Sequence, residues 1–475
     1  MSKKRLSNVD AAWYGMEDPT NLMMVSGIMT FDQPIEFERF LEVIQHRWLK
    51  FDRFRQRVIR PRNPLKAPYW QDDPHFELSA HVRRIGLPAP GDQAALQEVA
   101  SVLMSTPLDY SKPLWQFHLI ENYGEGCAVM GRLHHCLADG MALMFVLLSM
   151  TDMKRNAPPP KPELPDVEAV RGGYLSGSVG RLAKQAKSAV KTTYNLTNKL
   201  LDESRTILEN PNHLKDLAQQ GTELALTTGR VILRPPDPKT IFRGELGISK
   251  KASWSQAIPL NEIKTVKNAL GGTINDVLIT AMIGGLRRYM LGHGEDVEGV
   301  DFRATVPVNI RKPEEMTELG NKFGLVYLNL PIYIEDAQER LQEVSQRMTD
   351  LKNSSEAGVA FGILGGIGMT PIDVQQQLVN MFGAKATAVM TNVPGPPMPL
   401  YLAGSKITGI MFWVPQAGRV ALGISIISYA GQVWLGVATD AGLVPDPDQI
   451  VNHFYEEYEA LKALAETADI HVSSA

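Results

Sequence analysis

Cysteine is almost missing from this 475-residue chain, with Cys127 and Cys136 the only two. That excludes a disulfide framework and points to a reducing compartment. An excess of charge is missing as well. Lys and Arg number 48 against 52 Asp and Glu, a net charge of -4. The chain as a whole has no attraction for nucleic acid, and no such partner is expected. No apolar run approaches the roughly 20 residues that a membrane-spanning helix needs. Met141 to Leu148 is far shorter, and Val277 to Leu286 is broken by Thr280 and two glycines. The opening residues carry a basic cluster with no apolar segment behind it, so no targeting peptide is expected. Repeats of solenoid length are also lacking. What is present is ordinary globular composition, 44% hydrophobic and 21% charged, in a length that suits two or three domains.

Strand and helix patterns mix along the whole chain. Leu22 to Met29 is apolar enough for a buried strand. Phe37 to Leu49 carries apolar residues at helical spacing, as does Ala94 to Leu103. Leu119-Ile120 and Cys127 to Leu133 read as strands around a turn at Asn122 to Gly126. The prolines of Asn156 to Pro162 form a breaker. A basic helix follows from Val179 to about Leu201, with Arg181, Lys184, Lys187, Lys191 and Lys199 on its polar face. It reads either as a helix packed on a lobe or as a surface for anionic lipid headgroups. Beyond Pro235-Pro236 come a helix after Thr273, a strand Arg303 to Val308, an apolar stretch Phe323 to Ile334 and a helix Ala337 to Leu351. A closing helix runs from Asp448 to about Ala465. Thr391 to Pro397 holds too many prolines for a strand centre and is expected to turn. The expectation is therefore an α/β (α+β) chain of two lobes, residues 1–155 and 236–475, joined by a Pro-rich linker and helical connector at 156–235.

One segment carries the chemistry: Leu133-His134-His135-Cys136-Leu137-Ala138-Asp139-Gly140. Successive side chains of a strand alternate faces, so His134 and His135 point opposite ways and only one can face a substrate. A neutral histidine suits general-base work near pH 7. Asp139 precedes an apolar run that reads as a helix, which places its carboxylate at an N-cap. It can hold the loop but is a poor proton shuttle. No G-x-S-x-G elbow suggests a covalent intermediate, so direct transfer between two bound substrates is the simpler chemistry. Adjacent residues rarely converge on one ion, and no CxxC or HExxH spacing is present, so no metal site is expected. Asn275 and Asp276 sit where a helix begins and suit either capping or catalysis. Cys127 and Cys136 read as small buried residues.

The HHxxxDG segment resembles the CoA-dependent acyltransferase and condensation-domain superfamily. Its surroundings narrow this to the bacterial wax ester synthase/acyl-CoA:diacylglycerol acyltransferase family. The blocks that carry the resemblance are Leu6-Ser7-Asn8-Val9-Asp10, Tyr69 to Pro74 with His81 to Arg84, Pro113-Leu114-Trp115, Thr273 to Val277 and Thr391 to Pro396. They span nearly the whole chain. The resemblance implies two chloramphenicol-acetyltransferase-like lobes with a channel between them. It implies His135 as the base that deprotonates an acceptor hydroxyl for attack on an acyl-CoA thioester. Asp139 would hold the loop against an arginine, with His134, Gly140 and Asp276 in support. Asn275 would position substrate or stabilise the oxyanion. Pro113, Leu114 and Trp115 would shape the site or the acyl pocket.

The partners implied are a long-chain acyl-CoA as co-substrate and diacylglycerol, a long-chain alcohol, or both as acceptor. No bound cofactor is needed. The location implied is cytoplasmic, with peripheral contact at the inner membrane face or lipid inclusions. Two other readings stand beside this one. One is transfer to a smaller polar acceptor or from a carrier protein. The other is a lipid-binding or lipid-body protein without turnover.

Overall fold

In the computed structural model, the described residues are 4–63, 66–158, 223–312, 315, 318–370 and 372–473. The basic helix expected at 179–201 and most of the connector lie outside them.

The motif is carried by a hairpin. Trp115–Tyr123 and Gly126–His134 pair antiparallel, and the turn between them uses left-handed backbone at Asn122 (φ 65°) and Gly124 (φ 54°). Asn and Gly tolerate that conformation better than other residues. Gly126–His134 is buried at every position because it is an inner strand, with Met24–Phe31 on its other edge. The first sheet has the order Tyr401–Leu402, Ser405–Trp413, Met24–Phe31, Gly126–His134, Trp115–Tyr123, Val82–Gly86. Its first two strands come from the far end of the chain. Ser405–Trp413 pairs antiparallel with Met24–Phe31 and sets Ile410 opposite Met29. The chain therefore passes between the sheets three times, and residue 236 marks only the first passage.

The second sheet runs Phe323–Pro331, Asp301–Asn309, Ala388–Pro394, Leu422–Tyr429, Gln432–Asp440, Lys250–Trp254. Thr391 to Pro394 continues a strand here instead of turning. Its ladder is parallel to Leu422–Tyr429 along the full length, whereas pairing to Asp301–Asn309 stops at Val389. With one edge free, Pro394 removes no ladder bond on that side. Helix Ile274–Gly292 packs on Pro447–Ser473, and residues of both helices and of the second sheet share one core. Helix Ile274–Gly292 starts at Thr273, which with Asp276 forms a reciprocal capping box.

Short contacts between backbones lock the lobes together near the motif. Helix Asn8–Gly15 lies against Glu356–Ile367. Beyond the latter, a methyl group on Gly368 would sit 1.7 Å from the Asn8 carbonyl oxygen. This seating fixes Trp13 over the motif strand's end. The amphipathic segment from Phe37 is helical to Val43 and ends in a wider turn, Ile44–Trp48.

Candidate active site

The two histidines diverge as strand alternation requires. His134 is backed by Tyr14 and Tyr110, with ring centroids 5.8 and 5.7 Å away. The Cys136 N–H donates to its Nδ1 at 3.1 Å. That makes Nδ1 the acceptor and leaves the proton on Nε2, 3.5 Å from the Glu17 carboxylate. His135 turns the other way. Its ring stacks on Trp13 at 4.1 Å between centroids, with Phe323 at 5.5 Å. Its N–H donates to the Met23 carbonyl at 2.8 Å. Burial pushes the His135 ring down to about 4 from 6.5; Asp139, the residue's own carbonyl and Asn321 act in the opposite direction, while His134 adds to the lowering. The imidazole is therefore neutral, with a lone pair available, throughout the physiological range.

Asp139 is the N-cap of helix Gly140–Met150, with Oδ1 accepting from the Ala142 N–H at 3.0 Å. The same carboxylate accepts from Arg311 through Oδ2, at 2.6 Å from Nη2 and 3.2 Å from Nε, and from the Lys322 N–H at 2.9 Å. Arg311 also donates to the carbonyls of Glu315, Glu318 and Gly320. A buried ion pair is favourable only when its remaining donors and lone pairs are satisfied, and this one is well supplied. Nearby lies a second pair. Asp10 Oδ2 accepts from Arg53 at 3.2 Å, and Arg53 donates to the Leu137 carbonyl within the motif loop at 2.7 Å. Asp10 Oδ1 accepts from the backbone N–H and the Nδ2 of Asn321, at 3.1 and 2.8 Å. Burial raises the Asp10 carboxyl above the usual range, while Arg53, Asn321 and Ser7 oppose that shift.

Two apolar cavities flank this centre, each with roughly 800 Å³ of free space counted to its open mouth. Such volumes lie within the range of small-molecule sites, ~300–1,000 Å³. One is lined by Trp13, Leu325, Tyr327, Ile363, Phe382 and their neighbours. The other runs under helix Gly140–Met150, past Leu133, Gly140, Leu143, Leu147 and Val393. Among the described residues, no charged side chain lines either.

Asn275 stands at the rim. Its Oδ1 accepts from Asn392 Nδ2 at 2.5 Å, next to the cavity residue Val393. No hydrogen bond joins it to the motif loop among the described residues. Asp276 serves the cap, accepting from the Thr273 N–H at 2.8 Å. Pro113, Leu114 and Trp115 are buried and line neither apolar cavity. They sit in the core beside the motif strand. The Leu114 carbonyl accepts from the His134 N–H at 3.0 Å, and Trp115 donates to the Phe54 carbonyl at 2.8 Å while stacking on His81. Sequence reasoning missed Trp13, Arg311 and Asn321 as parts of the site. Asn321 and Arg311 lie in a stretch of ordinary composition, and no spacing ties them to HHxxxDG. Asp10 was visible only within a block of resemblance.

Two family models match the chain. The wax ester synthase/diacylglycerol acyltransferase catalytic domain covers residues 6–278, and the C-terminal domain of the same family covers 319–462. A putative diacylglycerol O-acyltransferase of Mycobacterium tuberculosis (strain CDC 1551 / Oshkosh) is 28% identical over 98% of this chain and 91% of its own length. Among solved structures, the wax ester synthase/diacylglycerol acyltransferase from Marinobacter aquaeolei VT8 aligns with a TM-score of 0.68 at 22% identity, covering 98% of this chain and all of that one. The first condensation domain of the calcium-dependent antibiotic synthetase aligns at 0.59 with 14% identity, over 98% of this chain and 96% of that one. These likenesses give the fold as two chloramphenicol-acetyltransferase-like lobes.

Proposed function

Since the chain belongs to the wax ester synthase/diacylglycerol acyltransferase family, we propose that it moves a long-chain acyl group from acyl-CoA to the hydroxyl of diacylglycerol or a long-chain alcohol, with His135 as general base. The observation that carries this reading is a pair of apolar cavities, one walled by the Trp13 on which His135 stacks and the other by Leu133 and Gly140 of its motif. Two hydrocarbon chains gain free energy by entering them, at about 25 cal/mol per Å² of apolar surface removed from water. A small polar acceptor would lose its hydration there for few partners, the hydroxyls of Thr305 and Tyr327 in the first cavity.

In the reaction, His135 Nε2 takes the acceptor's hydroxyl proton as the oxygen attacks the thioester carbonyl carbon. The carbonyl electrons move onto oxygen to give a tetrahedral oxyanion. Asn275 Nδ2, which no hydrogen bond occupies among the described residues, is the donor proposed for that oxyanion. The oxyanion then collapses, the C–S bond breaks, and the imidazolium returns its proton to the CoA thiolate. Ester and free CoA result, and the histidine is neutral again. Asp139 and Arg311 hold the loop that aims the ring. No resident metal or cofactor enters these steps.

In the same reading, residues 1–155 and 236–475 form the lobes, with 156–235 connecting them and 401–413 returning to the first sheet. Peripheral contact with a membrane or lipid inclusion also belongs to it, because the acceptors dissolve in lipid. Among the described residues no single helix is long and apolar enough to cross a membrane.

The test is CoA release from palmitoyl-CoA with dioleoylglycerol, hexadecanol or glycerol as separate acceptors, for the intact protein and His135→Ala. Release should depend on a lipid acceptor and fall about 10²–10⁴-fold in the variant. Release with glycerol alone, or none from folded protein supplied with lipid, would overturn the proposal.

A further inference from the structure

Beside Arg311, three consecutive residues of the second lobe hydrogen-bond the motif. The Gly320 carbonyl accepts from the Asp139 N–H at 3.3 Å, the Asn321 side chain donates to the His135 carbonyl at 2.8 Å, and the Lys322 N–H donates to Asp139 at 2.9 Å. Gly320 has φ +117°, a backbone conformation that strains any residue with a Cβ. From these contacts we propose that Asn321 positions the His135 base, holding its backbone in place and fixing which ring nitrogen carries the proton. The inference rests on His135 being the base.

The argument is one of hydrogen-bond capacity. The Asn321 amide has two N–H donors, and both are used, one on the His135 carbonyl and one on Asp10 Oδ1 at 2.8 Å. Flipping the amide would set its oxygen against a carboxylate and a carbonyl at once, so the amide has one orientation. Among the described residues, its Oδ1 is buried without a hydrogen-bond partner, and so is His135 Nδ1. A base that uses Nε2 must carry its proton on Nδ1, and that proton needs an acceptor. Asn321 Oδ1 is a buried acceptor left over at the residue that already bonds His135, and the Asn321 side chain favours the charged ring. The rival acceptor is the histidine's own carbonyl, whose second lone pair stays open and which Asn321 holds in place by its amide. Both routes therefore pass through Asn321. No standard hydrogen bond closes in the resting structure, and catalytic hydrogen bonds commonly tighten only when substrate is bound.

This gives the Leu6-Ser7-Asn8-Val9-Asp10 block a purpose. Ser7 caps helix Asn8–Gly15 by accepting from the Asp10 N–H, and Asp10 anchors the amide of Asn321 while Arg53 balances its charge. Asn321 lines neither cavity, and its contact with the motif is the His135 carbonyl.

Asn321→Ala, Asn321→Ser and His135→Ala are compared for kcat, KM for palmitoyl-CoA, the pH profile of kcat/KM and thermal midpoint. For Asn321→Ala, kcat should fall about 10²-fold or more, within the range a positioned base supplies, while KM stays within about twofold. Its acid limb should move to lower pH, because support for the imidazolium is lost. Asn321→Ser keeps a hydroxyl acceptor in a smaller side chain and should recover part of kcat. It also serves if the alanine variant does not fold. Unchanged kcat and acid limb in folded variants would overturn the proposal, as would losses that merely track the folded fraction. If His135→Ala retains full activity, the base assignment itself fails, a result distinct from a collapse in His135→Ala that Asn321→Ala does not share.

Discussion

Acid should act on this protein through His135 in a way that can be calculated. Its ring titrates near 4 in the folded chain against 6.5 when solvated, chiefly because burial disfavours the charged form. Below pH 6.5 the unfolded chain takes up a proton that the native state refuses, so stability falls as pH drops and the loss levels off below about 4. The full effect is about 3 kcal/mol, of which about 2 kcal/mol is already lost at pH 5. Replacing His135 by Gln removes this term and leaves the other titrating groups in place. Urea unfolding at pH 7 and pH 5 should then show a stability difference for His135→Gln smaller by about 2 kcal/mol than for the intact chain. The same depressed value predicts that kcat/KM for CoA release holds steady from pH 7 to 5 and bends near 4. An acid limb near 6.5, or the same pH dependence of stability with and without His135, would refute the reasoning.

Three further outcomes follow from the geometry. Arg311→Met strands the Asp139 carboxylate with two backbone donors, and urea titration should show a loss of about 3–5 kcal/mol, along with reduced kcat. Leu143→Trp narrows the cavity under helix Gly140–Met150 and should lower kcat/KM at least about tenfold more for a C16 than a C8 chain. Varying acyl-CoA and alcohol lengths separately shows which chain lies there, and equal loss at all lengths would remove the cavity from the site. Thr273→Ala breaks the capping box of Ile274–Gly292 and should cost about 1 kcal/mol in thermal or urea unfolding, with little change in KM.

Much of the site was readable where residues are close in sequence. His134, His135 and Asp139 lie within six positions, and strand alternation plus an N-cap rule are enough to orient all three. Arg311 and Asn321 meet the same loop from more than 170 residues away, and nothing local in Ile310 to Lys322 signals it. Trp115 has its partners elsewhere in the core. An aromatic residue in a family motif suggests a substrate wall, but its indole N–H and ring are fully engaged in the core. The fold followed the same line. Hairpins and long amphipathic helices declare themselves through periodicity. The return of Ser405–Trp413 to the first sheet does not, since an inner strand of either lobe has the same apolar character.

That returning strand also sets a schedule for synthesis. Met29 waits for Ile410 to complete its pairing, and at typical elongation rates those residues leave the ribosome roughly 20–75 s apart. Until then Met24–Phe31 is the outermost strand of an unfinished sheet, with an open hydrogen-bonding edge that invites other chains. Slow or interrupted translation between these two points should favour aggregation of the nascent chain, and a truncation before Ser405 should yield an insoluble first lobe.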